Sequence, residues 1–185
     1  LSITAILIMI SGKSPPAAYW ALARGALGSP ERIAFALNKS TPYLLAGVGV
    51  ALCFRARVIN IGAEGQIAVG GIAASWVALN AAATLPGPLL VPAALLAGAA
   101  GGAAWAALAA VISLKRGVHE VLCTLLLNFV GILLVSEALH GAMGEPGAGF
   151  PQSPLFADTV WLPKLIPGTE LHIGILVGVI AVIAC

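Results

Sequence analysis

The sequence predicts an all-α fold, a polytopic bundle of transmembrane helices forming an incomplete part of a larger protein. Hydrophobic residues make up 60% of the chain and charged residues only 9%, with a mean hydropathy of +1.04, against about 25% charged in an ordinary soluble domain. Long apolar runs recur, several of them close to the roughly 20 residues that a spanning helix needs. The first and last runs, Leu1–Ile10 and Ile173–Cys185, are too short, at about 1.5 Å per residue, to cross a core of about 30 Å. Both are expected to be partial spans. All of residues 1–185 are read as one transmembrane domain.

After Leu1–Ile10, the prolines of Ser11-Gly-Lys-Ser-Pro-Pro16 end one helix and open another at its first turn. Ala17–Leu27 mixes Tyr19, Trp20 and Arg24 with alanine and leucine, as suits either a short helix at the membrane interface or an ordinary loop helix. Gly28-Ser-Pro-Glu31 breaks it, and Thr41-Pro42 is expected to cap the next run, giving a span at about 41–54. Gly47 offers that span a small face for close packing. Fuller spans follow at about 61–85, 89–114 and 120–139. Gly98 and Gly102, a small-xxx-small pair, are expected to pack the third of these against a neighbour. Residues 140–172 are rich in proline and glycine and carry Phe150, Phe156 and Trp161, which reads as a structured external loop. Short basic hairpins face the cytoplasm. Arg55 and Arg57, with Lys115 and Arg116, therefore set the orientation.

Several chemistries are excluded or unsupported. A net charge of +2 from scattered basic residues gives no reason to expect a nucleic-acid partner. Gly12-Lys13-Ser14 lacks the glycine a phosphate loop requires, since Leu7 stands there. His119-Glu120 is followed by Cys123 where a zinc-protease pattern needs histidine, and His119 with Cys123 makes too few ligands for a metal. Cys53, Cys123 and Cys185 have neither disulfide nor zinc spacing. No metal site, no cofactor in this chain and no catalytic residue are expected.

The stretch Arg55–Gln66 stands out because it gathers charge, amide and glycine between two apolar runs. Asn60 reads as an N-cap for the amides of Ile61–Ala63. Gly62 and Gly65 weaken the helix that follows and let backbone approach backbone or solute, while Glu64 and Gln66 sit at a depth where ionisable and polar groups are costly. Two readings stand. Asn60, Gly62, Glu64, Gly65 and Gln66 line a solute path at a discontinuous helix, or Glu64 pairs with Arg55 or Arg57 and pins the helix at the membrane face. Asn128, mid-span, either lines the same path or serves as an interhelical hydrogen-bonding residue.

The string Phe54-Arg-Ala-Arg-Val-Ile-Asn-Ile-Gly-Ala-Glu-Gly-Gln66 resembles the signature of permease subunits of bacterial ABC importers for nucleosides and simple sugars, the ribose-type group linked to basic-membrane-protein lipoproteins. Similarity extends through Thr41-Pro-Tyr-Leu-Leu-Ala-Gly47, His119-Glu-Val-Leu-Cys-Thr-Leu-Leu-Leu-Asn128, Gly149-Phe-Pro-Gln-Ser-Pro154 and Trp161-Leu-Pro163. The family usually carries asparagine where His119 stands. The resemblance implies a non-catalytic translocation subunit in the bacterial inner membrane, paired with a second permease subunit and fed by an external substrate-binding lipoprotein. It also implies a cytoplasmic ATPase partner that holds ATP and Mg, and the permease loop that docks this ATPase is expected beyond Cys185. The residues alone leave two rivals: a stand-alone secondary transporter or channel using Glu64 as an ion-linked carboxylate, and a membrane scaffold.

Overall fold

The computed structural model describes residues 2–185, so the first position of the Leu1–Ile10 run lies outside the described residues. Helix accounts for 71% of the chain, and among the described residues the only extended pairing is an isolated bridge between Lys164 and His172. The helices are α1 (Ser2–Ile10), α2 (Pro15–Leu27), α3 (Pro30–Arg55), α4 (Ala63–Asn80), α5 (Gly87–Arg116), α6 (Glu120–His140) and α7 (Gly174–Ala184), with a 3-10 turn at Asp158–Val160. The fold is all-α, in agreement with the expectation from composition.

The helix boundaries follow from local chemistry. Pro15 and Pro16 open α2, where missing N–H groups are harmless. Gly117, at φ 66, ends α5 in the left-handed conformation, its amide bonding Ser113 O. One expectation fails. Thr41-Pro42 does not begin a helix: α3 starts at Pro30 and runs through Pro42. Pro42 has no N–H for Asn38 O, and in the turn before it Ser40 Oγ donates to Ala36 O at 2.8 Å and Thr41 Oγ1 to Leu37 O at 3.3 Å. Proline inside a helix is tolerated in membrane proteins more readily than in water-soluble ones.

The chain divides into two compact units. One holds the described residues up to Leu45 with Pro163–Ala184. Its core gathers Ala34, Leu171 and Ile175, with Leu44 packed against them. The other holds Ala46–Leu162 with Cys185, and so contains the end of α3, all of α4, α5 and α6, and the loop after α6 up to Leu162.

Within this second unit α4 lies against both α5 and α6. Glycine makes that possible. A Cβ placed on Gly70 would stand 2.7 Å from Gly98 O, one on Gly101 2.9 Å from Ala73 Cβ, and one on Gly131 2.9 Å from Gly65 Cα. The backbones meet where larger side chains would hold them apart. Among the described residues two helices, α5 and α6, are long and apolar enough to cross a membrane. The outer faces carry Leu96 at 71% and Leu133 at 67% exposure, a surface that suits lipid or a partner rather than water.

Candidate functional site

Between α3 and α4 the chain is not helical from Val58 to Gly62, and Arg57 before it adopts φ 58. Such backbone survives at membrane depth only where protein or a hydrated hollow satisfies its polar groups. Here α6 supplies the partners. Glu120 Oε1 accepts from Ile59 N at 2.9 Å, and Thr124 Oγ1 accepts from Ile61 N at 3.3 Å. Asn128 takes two groups at once, its Oδ1 accepting from Gly65 N at 2.7 Å and its Nδ2 donating to Ile61 O at 2.7 Å. Thr124 and Asn128 are both buried.

The start of α4 differs from the one expected. The helix begins at Ala63 with Gly62 in the cap position, and the one backbone amide that Asn60 Oδ1 accepts among the described residues is Gly62 N, at 2.8 Å. The amide of the third helical residue, Gly65, is capped across space by Asn128. Asn60 is thereby left to face Gln66: Asn60 Nδ2 donates to Gln66 Oε1 at 3.4 Å and Gln66 Nε2 donates to Asn60 Oδ1 at 3.3 Å. These contacts are long, so both amides can exchange them for another partner at little cost.

Asn60 and Gln66 line a cavity of about 330 Å³, with Cys53, Ser113, Glu120 and Thr124 among its other walls. Its volume lies at the low end for small-molecule pockets, about 300–1,000 Å³. Val58, Ala106, Ala109, Ala110 and Leu114 give it apolar wall, among which the amide, hydroxyl and carboxylate side chains stand. A larger hollow of about 940 Å³ between α2 and the first half of α3 has apolar walls and a rim of Glu31, Arg32 and Lys39. It holds none of the residues singled out by sequence, so the smaller cavity is the candidate site.

The other sequence candidates are placed as follows. Glu64 is exposed in the first turn of α4, and among the described residues no ion pair joins it to Arg55 or Arg57. The pairing expected of a pinning carboxylate is not made. Gly62 and Gly65 are buried: a Cβ would meet Thr124 Cβ at 3.0 Å at the first and Asn128 Cα at 2.9 Å at the second. Gly98 and Gly102 face α4, at 3.3 Å from Gly70 O and 3.2 Å from Gln66 O when given a Cβ. Gly47 faces open space. Arg55, Arg57, Lys115 and Arg116 are exposed. The cavity wall joins the end of α3, the end of α5 and the start of α6, so the two basic hairpins share one end of this unit. His119 caps α6, its Nδ1 accepting from Val121 N at 3.3 Å, a task that an asparagine there also performs.

Sequence reasoning missed Glu120 and Thr124 as partners of the broken segment. Their spacing with Asn128 was the available signal, since three polar residues one turn apart mark a single face of an otherwise apolar helix.

Residues 32–185 match the family described as branched-chain amino acid transport system, permease component. The chain belongs to this family. The permease is also similar along its length to three curated proteins. It is 37% identical to the glucose ABC transporter permease protein TsgB13 of Haloferax volcanii, aligned over 100% of this chain and 50% of the relative. It is 30% identical to the guanosine ABC transporter permease protein NupP of Bacillus subtilis, over 99% of this chain and 53% of that one. With the nucleoside ABC transporter permease protein NupB of Lactococcus lactis the identity is 26%, over 97% and 51%. The chain thus spans about half the length of the curated relatives it matches. No solved structure matches it. Membership in a permease family makes this a membrane protein, and its members are translocating components rather than enzymes.

Proposed function

We propose that the chain forms part of the translocation subunit of an ATP-driven importer that carries a sugar or a nucleoside into the cytoplasm by alternating access. The observation that carries this is the alignment of the whole chain with permeases named for glucose and guanosine. The broken approach to α4 supports it, because non-helical backbone beside a hollow is a recurring construction of solute sites in transporters. In this reading Asn60 and Gln66 offer amide donors and acceptors to a hydroxylated ring in the cavity, and Glu64, exposed in the first turn of α4, contributes a carboxylate to the same path. Asn128 acts one step back, by holding the backbone of that approach.

The partners in this reading are a cytoplasmic ATPase that binds ATP and Mg, a second permease subunit and an external substrate-binding lipoprotein, all at the inner membrane. Reconstitution of the full-length permease with these partners tests it, using uptake of radiolabelled D-glucose and guanosine. Uptake of one of them that requires ATP and stops with an ATPase-dead partner is the expected result. Uptake by the permease alone without nucleotide refutes it in favour of a secondary transporter or channel, and no uptake of either solute refutes the substrate class.

A further inference from the structure

The face of α6 that carries Glu120, Thr124 and Asn128 meets the segment leading into α4 at three successive points, Ile59, Ile61 and Gly65. None of these three amides has a helical partner, because Val58–Gly62 is not helical and Gly65 lies in the first turn of α4. The Thr124 hydroxyl also donates to Glu120 O at 2.9 Å, which keeps its oxygen lone pair turned toward Ile61 N. The same segment carries Asn60, and one turn of α4 carries Gln66. Both side chains line the cavity.

We propose that Glu120, Thr124 and Asn128 form a rail that replaces the missing helical hydrogen bonds and fixes where the Asn60 and Gln66 amides stand in the cavity. Glu120 and Thr124 are then positioning residues for solute recognition, a role that rests on the importer reading above. The rail explains why a polar stripe is retained on a helix of lipid-spanning length. It also explains how the approach to α4 stays irregular while the amides of Ile59, Ile61 and Gly65 are met.

The test uses the full-length permease with its partners and two variants at one position. Thr124→Val keeps the side-chain shape and removes the hydroxyl, whereas Thr124→Ser keeps the hydroxyl. Amide hydrogen exchange across Ile59–Gly65 is expected to quicken up to about tenfold in Thr124→Val, the factor that corresponds to one net hydrogen bond. The KM for the transported probe, D-glucose or guanosine, is expected to rise roughly three- to tenfold with kcat within about twofold, and Thr124→Ser is expected to return both readings toward those of the unmutated protein. If Thr124→Val does not fold, Glu120→Ala, which frees only the Ile59 amide, is read in the same way. Unchanged exchange overturns the rail. Faster exchange with unchanged KM, or a fall in kcat alone, overturns its link to the solute. Should the unmutated permease transport neither probe, the importer reading fails while exchange still decides the rail.

Discussion

Replacing Asn128 with leucine removes both hydrogen bonds that tie α6 to the start of α4, each 2.7 Å long. Two scales bear on the cost. An unmet buried backbone group costs about 1–3 kcal/mol in soluble proteins, which for Gly65 N and Ile61 O together gives about 2–6 kcal/mol. Interhelical hydrogen bonds in a membrane protein average about 0.6 kcal/mol and reach about 1.7, which gives about 1–3 kcal/mol for the pair. The lower scale governs here, because a chain unfolded within a membrane also finds partners for these groups. Asn128→Leu is therefore expected to destabilise the permease by about 1–3 kcal/mol, measured by reversible unfolding in mixed detergent micelles. It should also quicken exchange of the Gly65 amide. A loss below about 0.5 kcal/mol, the scale of a surface substitution, would refute the assignment of both bonds, as would unchanged exchange at Gly65.

Other substitutions probe neighbouring features. Gly65→Ala puts a methyl group 2.9 Å from the backbone of α6 and is expected to lose folded protein on size-exclusion chromatography, whereas Gly47→Ala, with nothing within 4 Å, should leave stability within about 1 kcal/mol. Glu64→Gln should change unfolding free energy by less than about 0.5 kcal/mol, since the side chain is exposed and has no ion-pair partner among the described residues. In the proposed path it should lower uptake nonetheless, and normal uptake would remove Glu64 from that path. His119→Ala should cost about 1 kcal/mol by removing the cap of α6 and His119→Asn much less, as thermal unfolding of the two variants will show.

Much of the fold is legible in the sequence because lipid imposes a simple rule on long apolar runs. The runs containing α5 and α6 end where Lys115-Arg116-Gly117 and Gly141 interrupt them, and local chemistry suffices to read those ends. Thr41-Pro42 misleads because a proline that opens one helix looks the same as one crossed by another, and only the built helix Pro30–Arg55 tells them apart. Around the site, Gly62 and Gly65 advertise a weak helix start, and Asn60 and Gln66 do converge on one cavity. The cap of α4 was not readable in the same way. Local reasoning gave it to Asn60, but Asn128 lies 63 residues from Gly65, and its role depends on how two helices approach. Gly98 and Gly102 show themselves by spacing, while their counterpart Gly70 is recognisable only through the contact it makes.

The long-range cap has a consequence for how the protein is made. A nascent chain that has delivered α4 to the membrane but not yet α6 has no Asn128 to accept from Gly65 N or to donate to Ile61 O. The first turn of α4 and the segment before it are completed only when a helix synthesised about 60 residues later arrives beside them. Order of insertion is thus written into a single amide side chain: α4 waits for α6, and a chain interrupted between them carries its broken approach to α4 unfinished.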